Sequence, residues 1–239
     1  MKDYNEKYWS QRSKGYDNTN WVRNKELITT YLDLLPKKNF HKILEIGIGT
    51  GAVAEIVANN LGPLIGIDIS DQMISKISNP NITAIVGDAH NLEFKDKKFD
   101  LIYMRNVIHY IKDPKQVMSE VFRCLKPNGH FLFSQVIPPD DSVSKEYDWL
   151  IGREIHYPTK IEIIDFMKDF KIDKKINYIL KSQSINNWIN NTCNSNSEKT
   201  KIINRHYETS DKYKKMVNYF VDRDDIYVDV KHLMILAKK

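Results

Sequence analysis

The residues best placed to do chemistry cluster in "ILEIGIGTG", Ile43 to Gly51, followed by Ala52. An acid, Glu45, sits in a short apolar run, two residues before the first of three alternating glycines, Gly47, Gly49 and Gly51. Glycines between a strand and a helix let the backbone pass close to a ligand, and the helix offers free N–H groups. Asp68 follows after about twenty residues, where an acid accepts from ribose hydroxyls. These residue types in this order suit an adenosine-containing ligand. Two such ligands fit the glycines. Gly47-x-Gly49-x-x-Ala52 matches the fingerprint of dinucleotide (NAD(P)) oxidoreductases, and Glu45-x-Gly47-x-Gly49-x-Gly51 suits S-adenosylmethionine. Glu45 separates them: a carboxylate there repels a pyrophosphate but attracts an ammonium and a sulfonium. Asp88, in "VGDAH", is placed to accept from an adenine amino group, again in favour of the second.

Other polar side chains fall where an acceptor would enter. His109, in "RNVIHYI", follows an apolar run on the face where open α/β sheets bind ligands. It is the candidate general base or substrate contact, with Tyr110 beside it. "EYDWLIGREIHYP" supplies Trp149, Arg153, His156 and Tyr157, and Trp188 and Arg205 come from a later polar stretch. Aromatic walls with one or two cations would suit a carboxylate or phosphate on the acceptor. His109, His156 and His206 are too widely spaced to suggest a metal site, and none is expected. Cys124 reads as core rather than nucleophile.

The elements that must position these residues alternate in type. "KILEIG", "PLIGIDIS", "ITAIVGDA", "FDLIYMRN" and "HFLFSQVI" are short apolar runs, as in strands covered on both faces. Between them lie "TGAVAEIVANNLG", "SDQMISKIS", capped by Ser70 or Asp71, and "DPKQVMSEVFRCLKPNG", all with helical spacing. This alternation predicts a parallel sheet with helices on both sides. "KIEIIDFMKDF" reads as a helix, "KINYILKSQS" as a sixth strand and "IYVDVKHLMILAKK" as a seventh. Residues 1–40 read as two helical stretches forming a lid, and 41–137 as the ligand-binding core. Residues 138–160, a long connection, and 186–225, helical in part, read as cap insertions. "NNWINNTCNSNS" has the composition of a flexible loop.

The order "LEIGIGTG", "GIDIS", "GDAH", "FDLIYMRNVIHYI", "LKPNGHFLF" resembles the class I S-adenosylmethionine-dependent methyltransferases. More narrowly it is similar to their small-molecule branch, related to ubiquinone/menaquinone and malonyl-carrier-protein methyltransferases. The likeness covers residues 40–135 or so. It implies one Rossmann-like α/β domain with a seven-stranded, mostly parallel sheet, an antiparallel last strand and helical caps. It also implies that Glu45, Gly47, Gly49 and Gly51 surround the methionine part of the cofactor. Asp68 would bind the ribose, Ile69 and Met73 would pack near the adenine, and Asp88 and Ala89 would hold its edge. Arg105 would line the pocket, and Tyr16 resembles an aromatic that closes over the cofactor. The implied activity is in-line transfer of a methyl group, leaving S-adenosylhomocysteine, to an oxygen or nitrogen, and less readily a carbon, of a small molecule. RNA and protein acceptors are the alternative within the fold.

Composition narrows the setting. The chain has 239 residues, a net charge of +5 and two cysteines. That length buries a sizeable core without disulfide staples. Lysines are interleaved with acids, as in "EFKDKKFD", which reads as a solvated surface rather than a nucleic-acid face. No apolar segment approaches a membrane span or a signal peptide. The expectation is a cytoplasmic protein; the sequence does not specify its oligomeric state.

Overall fold

The computed structural model describes residues 6–239. The start of the expected lid, residues 1–5, lies outside the described residues. The lid segment contains α1 (Glu6–Arg12), a turn of 3-10 helix at Tyr16–Asn18 and α2 (Lys25–Leu32), whose N-cap Asn24 accepts from Leu27 N at 2.8 Å. The core then runs β1 (Ile43–Ile46), α3 (Ala54–Leu61), β2 (Leu64–Asp68), α4 (Asp71–Ile74), β3 (Ile82–Val86), β4 (Phe99–Arg105), α5 (Pro114–Cys124) and β5 (Leu125–Val136). Ser70 is the cap of α4, as the sequence suggests, and Pro114 opens α5 behind its cap Asp113. Beyond the core come α6 (Ser144–Ile151), α7 (Lys160–Phe166), β6 (Lys171–Ser184), α8 (Ile185–Thr192), α9 (Asn196–Glu208), α10 (Asp211–Met216), β7 (Phe220–Asp222) and β8 (Asp225–Lys238).

The strands lie in the order β3-β2-β1-β4-β5-β8-β6, with β7 paired to β8. β1 to β5 are mutually parallel where they pair, and β8 runs antiparallel to both β5 and β6. β6 therefore points the same way as β5, and its end delivers the chain to the same edge of the sheet. The sheet has eight strands rather than seven. The extra one is the hairpin arm β7, whose three residues are all exposed and so carry no burial pattern to read. The connection over 138–160 contains α6, as helical caps would have it. One other expectation changes: the Asn-rich piece is mostly helix rather than a flexible loop. Ser184 and Ser195 cap α8 and α9, and Ile185, Trp188, Ile189 and Thr192 form a buried stripe at helical spacing that outweighs the polar composition.

Alternation along the strands builds two cores. Leu44, Ile46, Ile102, Met104, Phe131 and Phe133 pack against α5 and α7 on one face. Ile43, Leu101, Tyr103 and Leu132 pack against α2 and α3 on the other. A third cluster joins α6, α8, α9 and α10 over the carboxyl end of the sheet. Tyr31 ties α2 to the sheet: its buried hydroxyl lies 2.8 Å from Leu132 O and 3.1 Å from Met104 O. Losing a buried hydrogen bond of this kind costs about 1 kcal/mol, more where an acceptor is stranded. Tyr31→Phe should lower the urea midpoint by a corresponding amount with an unchanged m-value; an unaltered midpoint would show that the hydroxyl contributes nothing.

Candidate active site

The first turn after β1 shapes the main cavity. Gly47 and Gly49 have φ of 70° and 55°, which side chains with a Cβ rarely adopt. A Cβ on Gly47 would sit 2.3 Å from Cγ2 of Val107, whereas one on Gly49 would meet nothing within 4 Å. The turn thus packs under the loop after β4 on one side and leaves open space on the other. Gly51 lies beside Ile77, away from the cavity wall. The open space is part of a cavity of about 840 Å³, whose walls include Gly47, Gly49, Asp68, Ile69, Met73 and Asp88. Tyr16, Ala89 and Arg105 also line it, together with Trp9, His90, Asn106 and Tyr110. Glu45 opens into a small annexe of about 50 Å³ that shares Tyr16, Gly47, Gly49, Arg105 and Asn106 with that cavity.

The acids are held in different ways. Asp68 accepts from Gly49 N at 2.9 Å and Ser70 N at 3.0 Å. Burial still raises its pKa against those hydrogen bonds. Asp88 is more exposed. Partial burial pushes it up, but the backbone and ring of His90, the ring at 2.7 Å, outweigh this and hold it below the usual range. Glu45 is buried on the β1 face that meets α2 and α3, and accepts from the Tyr103 hydroxyl at 2.8 Å. Burial raises it to about 8, against the Tyr103 bond and the nearby Arg105 charge.

The N-terminal segment is tied down on several sides. Arg105 donates to Trp21 O at 2.6 Å and Val22 O at 3.0 Å. Thr50 donates to Asp17, Lys76 to Ser13 O, and the Ser10 and Ser70 hydroxyls meet at 3.3 Å. Asn20 N donates to Asn187 of α8 at 2.9 Å. The segment therefore spans from the α4 wall to the cap helices, with Tyr16 between them.

A second cavity, of about 90 Å³, adjoins the first and shares Tyr16, Asn106 and Tyr110 with it. It is walled largely by aromatic residues and includes the expected His109, Tyr110, Tyr157 and Trp188. His109 stacks on Tyr157 with centroids 4.4 Å apart, and its Nδ1 meets the Gln135 amide. Burial lowers its pKa to about 3, helped by the charges of Arg12 and Arg153 against the Gln135 bond. The ring is neutral at physiological pH.

The other expected acceptor residues are spent elsewhere. Arg153 pairs with Glu198 at 2.7 Å, donates to Thr192 and lies over the Trp188 ring, so it braces α8 against α9. Arg205 covers Trp149 on the outer surface and donates to its carbonyl. His156 bridges Asp148 at 2.6 Å and Glu162 at 3.1 Å, also outside the cavity. Arg12, Asn106 and Gln183, which the sequence did not single out, line the second cavity instead, together with His206 from the expected cap segment. Asn106 had one visible signal, its place directly after β4.

With this geometry in place, relatives of the chain can be set beside it. Residues 44–133 match the family model described as a methyltransferase domain. The chain is 32% identical over 114 residues to the uncharacterized methyltransferase YcgJ of Bacillus subtilis, covering 45% of each chain. It is 32% identical over 114 residues to the demethylmenaquinone methyltransferase of Thermotoga maritima, covering 46% of this chain and 49% of that protein. The chain spans about half the length of these curated relatives. The solved structure of YcgJ superposes with a TM-score of 0.77 at 22% identity, over 90% of this chain and 98% of that one. Phosphoethanolamine N-methyltransferase 2 of Haemonchus contortus, solved with S-adenosylhomocysteine and phosphomonomethylethanolamine, gives 0.67 at 18% identity over 95% of this chain and 57% of that one. The two structures share the fold. Over residues 44–133 this chain thus matches a methyltransferase domain, as do the relatives that it is similar to over about half their length.

Glu45 gives the site a pH signature. Its carboxyl holds a proton in the folded protein up to about pH 8 and releases it near 4.5 when unfolded. Folding stability through this group therefore falls as pH rises between those values, by at most about 1.4 kcal/mol per pH unit. His156, raised to about 9 by Asp148, adds a slope of the same sign that both proteins share. Glu45→Gln should therefore gain on wild type steadily across the upper part of this window. Parallel stability curves for the two proteins would show that Glu45 is ionised in the free state.

Proposed function

We propose that the protein transfers a methyl group from S-adenosylmethionine to an oxygen or nitrogen of a small molecule held in the aromatic cavity. The observation that carries this reading is the pair of adjoining cavities, one lined by glycines and acids, the other by aromatics, meeting at Tyr16, Asn106 and Tyr110. We assign residues 1–40 as a lid, 41–137 as the cofactor-binding core, and 138–160 and 186–225 as the acceptor cap. The larger cavity fits the cofactor chemically. Buried Glu45 suits its cationic methionine end, Asp68 the ribose hydroxyls, and Asp88 with Ala89 the adenine edge, flanked by Ile69 and Met73. A pyrophosphate, by contrast, would oppose the ionisation of Glu45 that a cationic group favours.

When bound, S-adenosylmethionine supplies an electrophilic methyl carbon on a good leaving group. The chain's own residues then need only position the acceptor and exclude water. The acceptor atom gains the methyl group and sheds its proton, if it carries one, to solvent. His109 is assigned as an acceptor contact: Gln135 engages Nδ1 and fixes the ring against Tyr157. An imidazole that stays neutral down to about pH 3 is a weak base. That favours oxygen and nitrogen over carbon, whose deprotonation asks for a stronger one. The two free cysteines suit a reducing, cytoplasmic setting.

Calorimetry should show binding of S-adenosylmethionine and S-adenosylhomocysteine and none of NAD; binding of NAD alone would refute the assignment. Asp68→Ala should weaken S-adenosylhomocysteine by about tenfold or more, since it removes charge-assisted hydrogen bonds. Once an acceptor is in hand, His109→Gln should slow turnover by less than about tenfold, whereas loss of a true general base costs about 10²–10⁴-fold.

A further inference from the structure

We infer that the methyl acceptor carries an anionic group, a carboxylate or a phosphate, received in the aromatic cavity by Arg12. This rests on the methyltransferase reading above. Arg12 lines that cavity and is only 3% exposed. Its guanidinium lies 5.0 Å from the ring centre of Tyr8 and 5.4 Å from that of Trp9. Nη1 donates to the Tyr8 hydroxyl, and Nε is buried without an acceptor. Among the described residues no carboxylate forms an ion pair with it.

The surroundings do not neutralise this charge. Glu198 pairs with the neighbouring Arg153 at 2.7 Å and also feels Arg12, so one acid faces two guanidiniums and a positive charge is left in excess. His109 is neutral and adds nothing. Asp229, the carboxylate among the lining residues, keeps its charge but turns its oxygens to Ser182 N at 2.8 Å and Asn218 Nδ2 at 2.7 Å and makes no ion pair with Arg12. A buried cation without a counter-ion is costly unless something pairs with it. Here the missing partner is the ligand: a guanidinium on an aromatic wall fits an anionic oxygen on an otherwise apolar small molecule. Placed at the base of the lid segment, Arg12 would also couple acceptor binding to lid position.

The test uses the full chain, methyl-labelled S-adenosylmethionine and a small-molecule cell extract split by anion exchange into anionic and neutral-to-cationic fractions. Label should enter products of the anionic fraction, and Arg12→Gln should reduce it at least tenfold while binding S-adenosylhomocysteine as well as wild type. Phosphatase treatment of the anionic fraction before assay separates the sources: it abolishes labelling if the anion is a phosphate and spares it if a carboxylate. Label only from the neutral-to-cationic fraction, or labelling indifferent to Arg12→Gln, would overturn the inference and leave methyl transfer standing. No label from either fraction would overturn both. A volume-matched Arg12→Met variant separates function from structure. With no ion pair to it among the described residues, its removal should leave Tm unchanged or raised; a purely structural Arg12 would give a lowered Tm in both variants.

Discussion

A carboxyl buried under a glycine turn sets the terms for the rest of this site. Among the described residues Glu45 reaches no cation by hydrogen bond; the Tyr103 hydroxyl is its donor, and burial keeps it protonated. Such a group can ionise beside a positive charge, whereas a nearby anion would hold it neutral and gain nothing from it. The glycines provide room and curvature, and the residue in the strand beneath them weights the site towards a cation. That residue is buried because its side of β1 faces α2 and α3, and Tyr31, which sits between sheet and helix, keeps that layer closed.

The N-terminal segment and the helices beyond β5 depend on the same end of the sheet. Arg105 finishes β4 and, instead of facing solvent, holds the Trp21–Val22 carbonyls. The segment carrying Tyr16 is thereby fixed between the two cavities, while Asn187 of α8 holds its far side. β6 and β8 run past the carboxyl ends of β4 and β5, and α8 to α10 are built on that overhang. One set of backbone contacts so closes both chambers.

The core was legible because its strands are covered on both faces and read as unbroken apolar runs between capped helices. The acids at the strand ends were legible for a related reason: their positions are fixed by the turn, not by packing far away. The second cavity was not. Arg153 and Arg205 resemble Arg12 as residue types, and nothing in "EKYWSQRSK" separates a solvated basic helix from one that turns a guanidinium inward. Which arginine meets a carboxylate depends on how α6, α8 and α9 pack, since Glu198 is 45 residues from Arg153. The Asn-rich stretch misled in the same way, its composition hiding the buried stripe of α8.

The central claim, that a protonated Glu45 waits for a cationic cofactor, can be measured through the proton itself. Titrating S-adenosylmethionine into the protein near neutral pH, in two buffers of different ionisation enthalpy, gives the number of protons exchanged on binding. The account predicts release of about one proton per cofactor bound by wild type and almost none by Glu45→Gln. Binding without proton release, or equal release from both proteins, would contradict it.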